Sequence, residues 1–180
     1  MVEMLRDIEG YEFTSNDQLF LDTNIWLIIL CPQVHTQFSR SREQVYTSAW
    51  SRILESKGRI YTNILVISEF INTYARIKWK QDTGDIKFKQ FRNSEKFKPV
   101  ARDIAKETGK ILCNCIRISG SFTRLDMDTL LDEFAQGSAD FNDQIIREAC
   151  KERNLTLVTD DADFTHQDIP LLTANRRLLG

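Results

Sequence analysis

The sequence predicts an α/β fold in which helices cover both faces of a parallel sheet. Short apolar runs without helical period alternate with longer segments whose apolar residues recur at helical spacing. Strands that alternate with helices are typical of parallel sheets. Asp22 directly follows an early apolar run, and Asp160, Asp161 and Asp163 follow a late one. Functional sites of such sheets lie beyond the carboxyl ends of the strands, so these acids from distant parts of the chain are expected to meet there.

The amino-terminal part predicts one strand and two helices. Residues 19–21 are a short apolar run that ends at Asp22, which indicates a buried strand. The apolar residues 25–30 then start a helix packed on that strand. Residues 41–57 place apolar side chains near helical spacing, and Gly58 is a suitable stop.

A second strand is predicted at residues 59–62, and Asn63 can cap the helix that follows. One face of this helix is apolar, with Val66, Ile67, Phe70, Ile71 and Tyr74. Glu69 is conspicuous among these apolar positions. Residues 78–98 are polar and indicate a loop with a short helix.

Three more helices and two more strands are expected in the carboxyl-terminal half. The helices are predicted at residues 99–119, 126–134 and 142–153. Ser138 or Asp140 can cap the last of them. The strands are predicted at residues 155–158 and 169–173.

The 180 residues suffice for one sizeable core, and we expect a single domain over residues 1–180. No apolar run approaches the roughly 20 residues that span a bilayer. The first residues lack the layout of a secretory signal. The four cysteines are irregularly spaced, without a Cys-x-x-Cys pair. These features favour a reduced, cytoplasmic protein with buried thiols, not attached to a membrane.

Charge is distributed unevenly along the chain. Residues 76–98 contain eight bases against three acids, whereas residues 126–168 contain twelve acids against three bases. The first segment can attract phosphates and the second metal cations. A solvated helix face is the alternative for each segment.

Several carboxylates at one edge of a sheet repel each other unless protons or cations neutralise them. Oxygen ligands are those that Mg²⁺ and Mn²⁺ prefer. Such ions activate water and stabilise the leaving oxygen of a phosphodiester. The acids therefore indicate metal-dependent phosphodiester chemistry.

The order of the acidic motifs resembles the PIN domain family. Leu-Asp-Thr-Asn at residues 21–24 resembles the family's first motif, and Ile-Ser-Glu-Phe at residues 67–70 its second acidic site. Asp143 with the residues after it, and Thr159 to Asp163 after the late strand, resemble the third and fourth. The resemblance covers about residues 19–173 and is greatest to the VapC-type toxin ribonucleases of toxin–antitoxin pairs. It implies a three-layer α/β/α sandwich with a central parallel sheet.

The resemblance also implies roles for individual residues. The catalytic and metal-binding acids would be Asp22, Glu69, Asp143 and Asp161, with Asp160 and Asp163 as rivals for the fourth position. Asn24 would hold the strand–helix turn, and Thr159 would position water or phosphate. Asp140 would be a helix cap or an auxiliary ligand. The cofactor would be Mg²⁺ or Mn²⁺, and the substrate RNA.

Residues 81–137 form a longer helical elaboration than a minimal PIN toxin needs. The basic segment lies partly in this elaboration and partly in the residues just before it. We expect it to bind the RNA backbone through Lys78, Lys80, Lys87, Lys89 and Arg92. The interleaved aromatics could stack on bases, but packing is the favoured interpretation; they are Trp79, Phe88, Phe91 and Phe97.

The favoured hypothesis is a metal-dependent endoribonuclease, with a small antitoxin protein as a partner and a homodimer as a further expectation. A PIN-fold RNA-binding or scaffold protein with weak or no catalysis is the alternative. A phosphotransfer enzyme of the haloacid-dehalogenase or receiver type is disfavoured, because residues 22–24 lack the second acid that the dehalogenase type uses.

Overall fold

The computed structural model describes residues 4–31, 40–82, 86–119, 122–137, 140–164 and 168–180. In this part of the chain six strands form one sheet, and every neighbouring pair is parallel. The strands are β1 (Leu5–Asp7), β2 (Gln18–Leu21), β3 (Arg59–Thr62), β4 (Ile116–Arg117), β5 (Thr156–Val158) and β6 (Leu171–Thr173). Their spatial order is β1-β6-β5-β2-β3-β4.

Helices cover this sheet and complete a three-layer α/β/α sandwich, which confirms the predicted fold class. They are α1 (Thr23–Leu30), α2 (Arg40–Glu55), α3 (Ile64–Asp82), α4 (Phe88–Arg92), α5 (Phe97–Asn114), α6 (Met127–Ala135), α7 (Phe141–Arg153) and α8 (Arg176–Leu179). Helix α1 packs against α2 and α3, and α3 packs against α5. Helix α7 packs against β5 and α6.

The two central strands are buried on both faces. Leu19, Phe20 and Leu21 of β2 and Leu157 and Val158 of β5 are at most 1% exposed. Burial on both faces explains why these strands are continuous apolar runs rather than alternating ones. Leu21 pairs with Val158 in the parallel register, so β2 and β5 end at the same level.

The chain leaves β2 and β5 in opposite directions across the sheet. After β2 it continues to the neighbouring strand β3, and after β5 it continues to β6 on the other side. A crevice opens where two neighbouring connections diverge in this way, beyond the carboxyl ends of the strands. The residues that follow β2 and β5 are therefore placed at the natural site of the fold.

Three short elements differ from the prediction. Strand β1 and helix α8 were not expected, and their few residues carry too little pattern to indicate a type. The helix predicted at residues 99–119 ends at Asn114, and the exposed strand β4 follows it at the sheet edge. Cys115 is half-buried, but it lies just beyond the end of the helix. An apolar residue at this position therefore does not indicate a further helical turn.

None of the four cysteines, all of which lie in the described ranges, forms a disulfide, and two of them, Cys31 and Cys150, are buried. Cys113 is exposed, so the expectation of buried thiols does not hold for it. Within the described ranges, no helix combines the length and the apolarity needed to cross a bilayer.

Candidate metal centre

Asp22 lies at the junction of β2 and α1, at the centre of the carboxyl edge of the sheet. It is the N-cap residue of α1, and one carboxylate oxygen accepts a hydrogen bond from the Thr23 backbone N–H at 2.6 Å. Only 5% of the residue is exposed. The sequence folds this way because an apolar strand ends at an acid that can cap the next helix.

Thr159 and Asn24 hold the other oxygen of Asp22. The Thr159 hydroxyl donates to Asp22 Oδ2 at 2.8 Å, and Asn24 Nδ2 donates to the same oxygen at 2.6 Å. The Thr159 hydroxyl also accepts from Asn24 Nδ2 and from the Asp161 backbone N–H, each at 3.1 Å. One donated and two accepted bonds use the full capacity of a hydroxyl. Thr159 is fully buried, and its hydrogen bonds connect Asp22, Asn24 and Asp161.

Asn24 joins two strand ends rather than only its own turn. Its Oδ1 accepts a hydrogen bond from the Asp160 backbone N–H at 3.1 Å, across the boundary between β2 and β5. The expected backbone bond of Asn24 is therefore present, but it holds the segment after β5 against Asp22.

Glu69 reaches the same edge from α3. Asn63 caps this helix by accepting from the Val66 backbone N–H at 3.1 Å, as predicted. The Thr23 hydroxyl donates to Glu69 Oε2 at 3.0 Å. This bond ties the exposed Glu69 carboxylate to the residue that follows Asp22.

Asp143 enters from the first turn of α7. Asp140 is the N-cap residue of that helix, and its carboxylate accepts from the Asn142 backbone N–H at 2.8 Å. Of the two roles considered for Asp140, the structure supports the cap. Asp143 has no such backbone bond among those described, and its half-buried carboxyl lies within electrostatic range of Asp22, Asp161 and Glu69.

The segment after β5 separates its acids by role. The Asp161 carboxylate accepts from the Asp163 backbone N–H at 2.9 Å, and its charge raises the pKa of both Asp22 and Asp143. The Asp163 side chain is exposed. Asp161 therefore belongs with Asp22 and Asp143.

The Asp160 carboxylate is hydrogen-bonded to side chains of α2. Its Oδ2 accepts from Arg42 Nη1 at 2.9 Å, and its Oδ1 accepts from the Tyr46 hydroxyl at 2.8 Å. Asn175 donates to the Asp160 backbone carbonyl at 2.6 Å. These contacts hold both carboxylate oxygens against α2 and the end of β6, so the geometry argues against the ligand role considered for Asp160.

The acids that converge repel one another. The pKa of Asp22 is raised to about 6, chiefly by burial and in addition by the charges of Glu69 and Asp161, against the hydrogen bonds from Thr159 and Thr23 that lower it. Burial likewise raises the pKa of Asp143 to about 7, together with the charges of Asp22, Asp161, Asp140 and Glu69. Four carboxylates from different elements thus share one local field that favours a bound cation.

The donor set suits a hard divalent cation held partly through water. Among the described residues, no three acid, histidine or cysteine side chains are spaced to enclose an ion directly. Because Mg²⁺ usually keeps several waters and takes only one or two protein carboxylates, this all-oxygen set fits such an ion.

Sequence reasoning missed four residues that build the site. They are Thr23, Arg42, Tyr46 and Asn175. Thr23 stands inside the first motif, so its position beside Asp22 was a usable signal. The other three act through contacts between segments far apart in sequence, which no local pattern reveals.

The chain is similar to known proteins in sequence family and in fold. The PIN domain family model matches residues 19–170. A chain of the crystal structure of VapBC2 from Rickettsia felis, bound to a DNA fragment from their promoter, superposes with a TM-score of 0.54 at 17% identity, covering 86% of this chain and 97% of that chain. PAE2754 from Pyrobaculum aerophilum gives a TM-score of 0.46 at 13% identity, covering 97% and 94%. No curated protein sequence matches.

Proposed function

The chain belongs to the PIN domain family, whose members are generally nucleases, and from that premise we propose that it is a metal-dependent endoribonuclease. The observation that supports this best is the convergence of Asp22, Glu69, Asp143 and Asp161 at the carboxyl edge of the sheet. These carboxylates come from four separate segments of the chain, so their mutual field is a product of the fold and not of a local acidic run.

The proposed ligands of Mg²⁺ or Mn²⁺ are Asp22, Glu69, Asp143 and Asp161. A bound divalent ion would polarise the phosphodiester and make water a better nucleophile at neutral pH. The reaction is a hydrolysis, in which the water oxygen bonds to phosphorus and one ester P–O bond breaks. One water proton leaves to solvent, and the departing ribose oxygen gains a proton.

The surrounding side chains hold these acids in place. Thr159 and Asn24 fix Asp22 Oδ2, while Thr23 fixes the Glu69 carboxylate. Because these orienting bonds are made within the fold itself, little reorganisation is required when substrate arrives. Asp161 is the proposed ligand rather than Asp163, because the charge of Asp161 raises the pKa of Asp22 and of Asp143.

A small antitoxin is the proposed protein partner. The solved neighbour from Rickettsia felis is a VapBC2 complex, and the acidic pocket would accept an Arg or Lys side chain of such a partner. A basic side chain placed there would neutralise the carboxylates and exclude cations, which is a direct route to inhibition.

The test is RNA cleavage by the purified protein in Mn²⁺, Mg²⁺ or EDTA. Wild type should cleave with either metal and not in EDTA, and Asp22→Asn and Asp143→Asn should lose cleavage. Asp128→Asn is the matched control, because Asp128 is an exposed acid of α6. Cleavage that persists in EDTA, or that is equal in all variants, contradicts the proposal. RNA binding without cleavage in every metal favours the alternative of a non-catalytic RNA-binding protein.

A further inference from the structure

Helix α3 continues from the acidic site into the basic segment. Beyond Glu69 it carries Arg76, Lys78 and Lys80, and no acid lies between Glu69 and Asp82. With 3.6 residues per turn, Arg76 and Lys80 lie about two and about three turns beyond Glu69. They therefore share the face of α3 that presents Glu69, at roughly 10 and 16 Å from it along the helix axis.

Lys78 lies on the opposite face and has a structural role. Its ammonium group is 3.8 Å from Asp103 Oδ2 on α5 and 5.6 Å from the centre of the Tyr74 ring. The contact with Asp103 joins α3 to α5. The structure thus divides the predicted RNA-binding residues, since Lys78 points away from the face that carries Lys80.

A third basic residue, Arg92 of α4, lies beside Arg76. The Phe88 ring has the Arg76 guanidinium 4.7 Å from its centre and the Arg92 guanidinium 5.9 Å from it. Cation–π contacts of this kind hold a guanidinium in place while leaving its N–H edges free.

Aromatic packing anchors the cluster. Phe91 is fully buried and contacts Phe97 with ring centres 5.4 Å apart, and Trp79 contacts Phe88 at 5.7 Å. These aromatic residues are packing residues, as favoured from the sequence, and Phe88 is flanked by guanidinium groups. The basic side chains near Phe88, those of Arg76 and Arg92, therefore extend from helices that pack together through aromatic rings.

The charges on this face are not neutralised by the chain. Neither Arg76, Lys80 nor Arg92 has an ion-pair partner among the described residues, in contrast to Lys78 and to Lys98, which pairs with Glu95 at 2.8 Å. Like charges four positions apart on a helix destabilise it. Fold stability therefore does not explain the placement of Lys80, which has neither an ion-pair partner nor a ring contact among the described residues.

We propose that Arg76, Lys80 and Arg92, here called the basic face, bind the sugar–phosphate backbone of the RNA substrate along the side of α3 that begins at Glu69. This inference rests on the proposed function, because it concerns the same substrate. The acidic site repels phosphate until cations neutralise it, so binding energy has to come from outside the pocket. Planar guanidinium groups suit phosphate oxygens through paired hydrogen bonds.

The experiment measures the affinity of a fluorescent unstructured RNA by anisotropy in EDTA, where no metal-dependent cleavage interferes. The test variants are Arg76→Gln/Arg92→Gln and Lys80→Gln. The matched control is Arg176→Gln/Arg177→Gln on α8, which packs against the edge strand β1. At 0.1 M salt, loss of two phosphate contacts on a single strand weakens binding about 25-fold and reduces the salt slope by about 1.4. Lys80→Gln should weaken binding about five-fold. Lys80 contacts no aromatic ring among those described, so lost packing does not account for its effect.

Cleavage assays in Mn²⁺ separate this inference from the proposed function. A long RNA should show a raised KM in the basic-face variants. Wild-type affinity and salt slope in both sets of test variants overturn the inference and leave the nuclease assignment standing. If wild type cleaves no RNA but the basic-face variants still lose affinity, the proposed function fails and the binding site stands. Equal weakening in the α8 control also overturns the inference, because it shows a general effect of net charge.

Discussion

Asp22 and Thr159 are 137 residues apart in sequence, yet the Thr159 hydroxyl donates a 2.8 Å hydrogen bond to the Asp22 carboxylate in the buried centre of the site. The bond exists because β2 and β5 are neighbours whose ends lie at the same level. It links the first acidic motif to the segment that carries Asp161, so a single hydroxyl couples the positions of two proposed ligands.

Replacing Thr159 with Val should reduce cleavage about 10- to 100-fold, the usual cost of losing a group that orients a metal ligand. Val preserves shape but removes the donor to Asp22 and the acceptor for Asn24 and Asp161. Cleavage rates and Mn²⁺ affinity are the measurements, and Thr159→Ser should restore both. Thr156→Val, on the strand that ends just before Thr159, is the control. Equal rates for the two Val variants would show that the hydroxyl bond does not matter.

Asp160 and Asp161 should respond differently to the same substitution. Asp161→Asn should abolish cleavage and weaken Mn²⁺ binding, because it removes a proposed ligand. Asp160→Asn should keep Mn²⁺ affinity at the wild-type value, since Asn can still accept from Arg42 and contact Tyr46. Isothermal titration with Mn²⁺ distinguishes them. Loss of metal binding in Asp160→Asn alone would reverse the two roles.

Arg42→Ala should lower the free energy of unfolding by about 2 kcal/mol, less than the loss of a fully buried pair because Arg42 is partly exposed. It leaves the carboxylate of Asp160, only 3% exposed, with a single remaining side-chain donor. For a chain of this length the Tm should fall by roughly 4–8 °C. Arg176→Ala removes an exposed contact, 3.7 Å from Asp7, and should change the free energy by at most about 0.5 kcal/mol. Calorimetry of both variants is the measurement, and equal Tm values would refute the structural role of Arg42.

Asp143→Asn should stabilise the metal-free protein while it removes activity. The pKa of Asp143 is raised to about 7 in the fold, so the folded chain binds the proton more tightly than the unfolded chain. The Asp143 carboxyl therefore destabilises the fold increasingly as pH rises from about 4 to 7, so the gain from its removal should grow through that window and be complete above it. After allowance for solvent screening, the gain at pH 8 in EDTA is about 1–2 kcal/mol. Asp128→Asn is the control. A Tm of Asp143→Asn that matches wild type at pH 8 would contradict the proposed repulsion.

The regular elements of the fold could be predicted because each left a strong local pattern. The strand at residues 59–62 coincides with β3, and the predicted strand at residues 19–21 lies within β2. Short edge elements could not be predicted, since β4 has two exposed residues and β1 only three residues.

The candidate site could be predicted only in part. The acids follow strands, which placed Asp22 and Asp161 at the same edge. The partners of Asp160 could not be foreseen, because Arg42 and Tyr46 reach it from a helix more than a hundred residues away. The different surroundings of Lys78 and Lys80 could not be foreseen either. These two residues are two positions apart in sequence but lie on opposite faces of α3.

Anomalous diffraction from crystals soaked in Mn²⁺ tests the proposed metal centre most directly. A peak beside the Asp22 and Asp161 carboxylates, with Glu69 and Asp143 facing it, is the predicted result, and it should vanish in Asp22→Asn crystals. Manganese that binds elsewhere, or that leaves those four side chains without any contact to an ion or its waters, would contradict it.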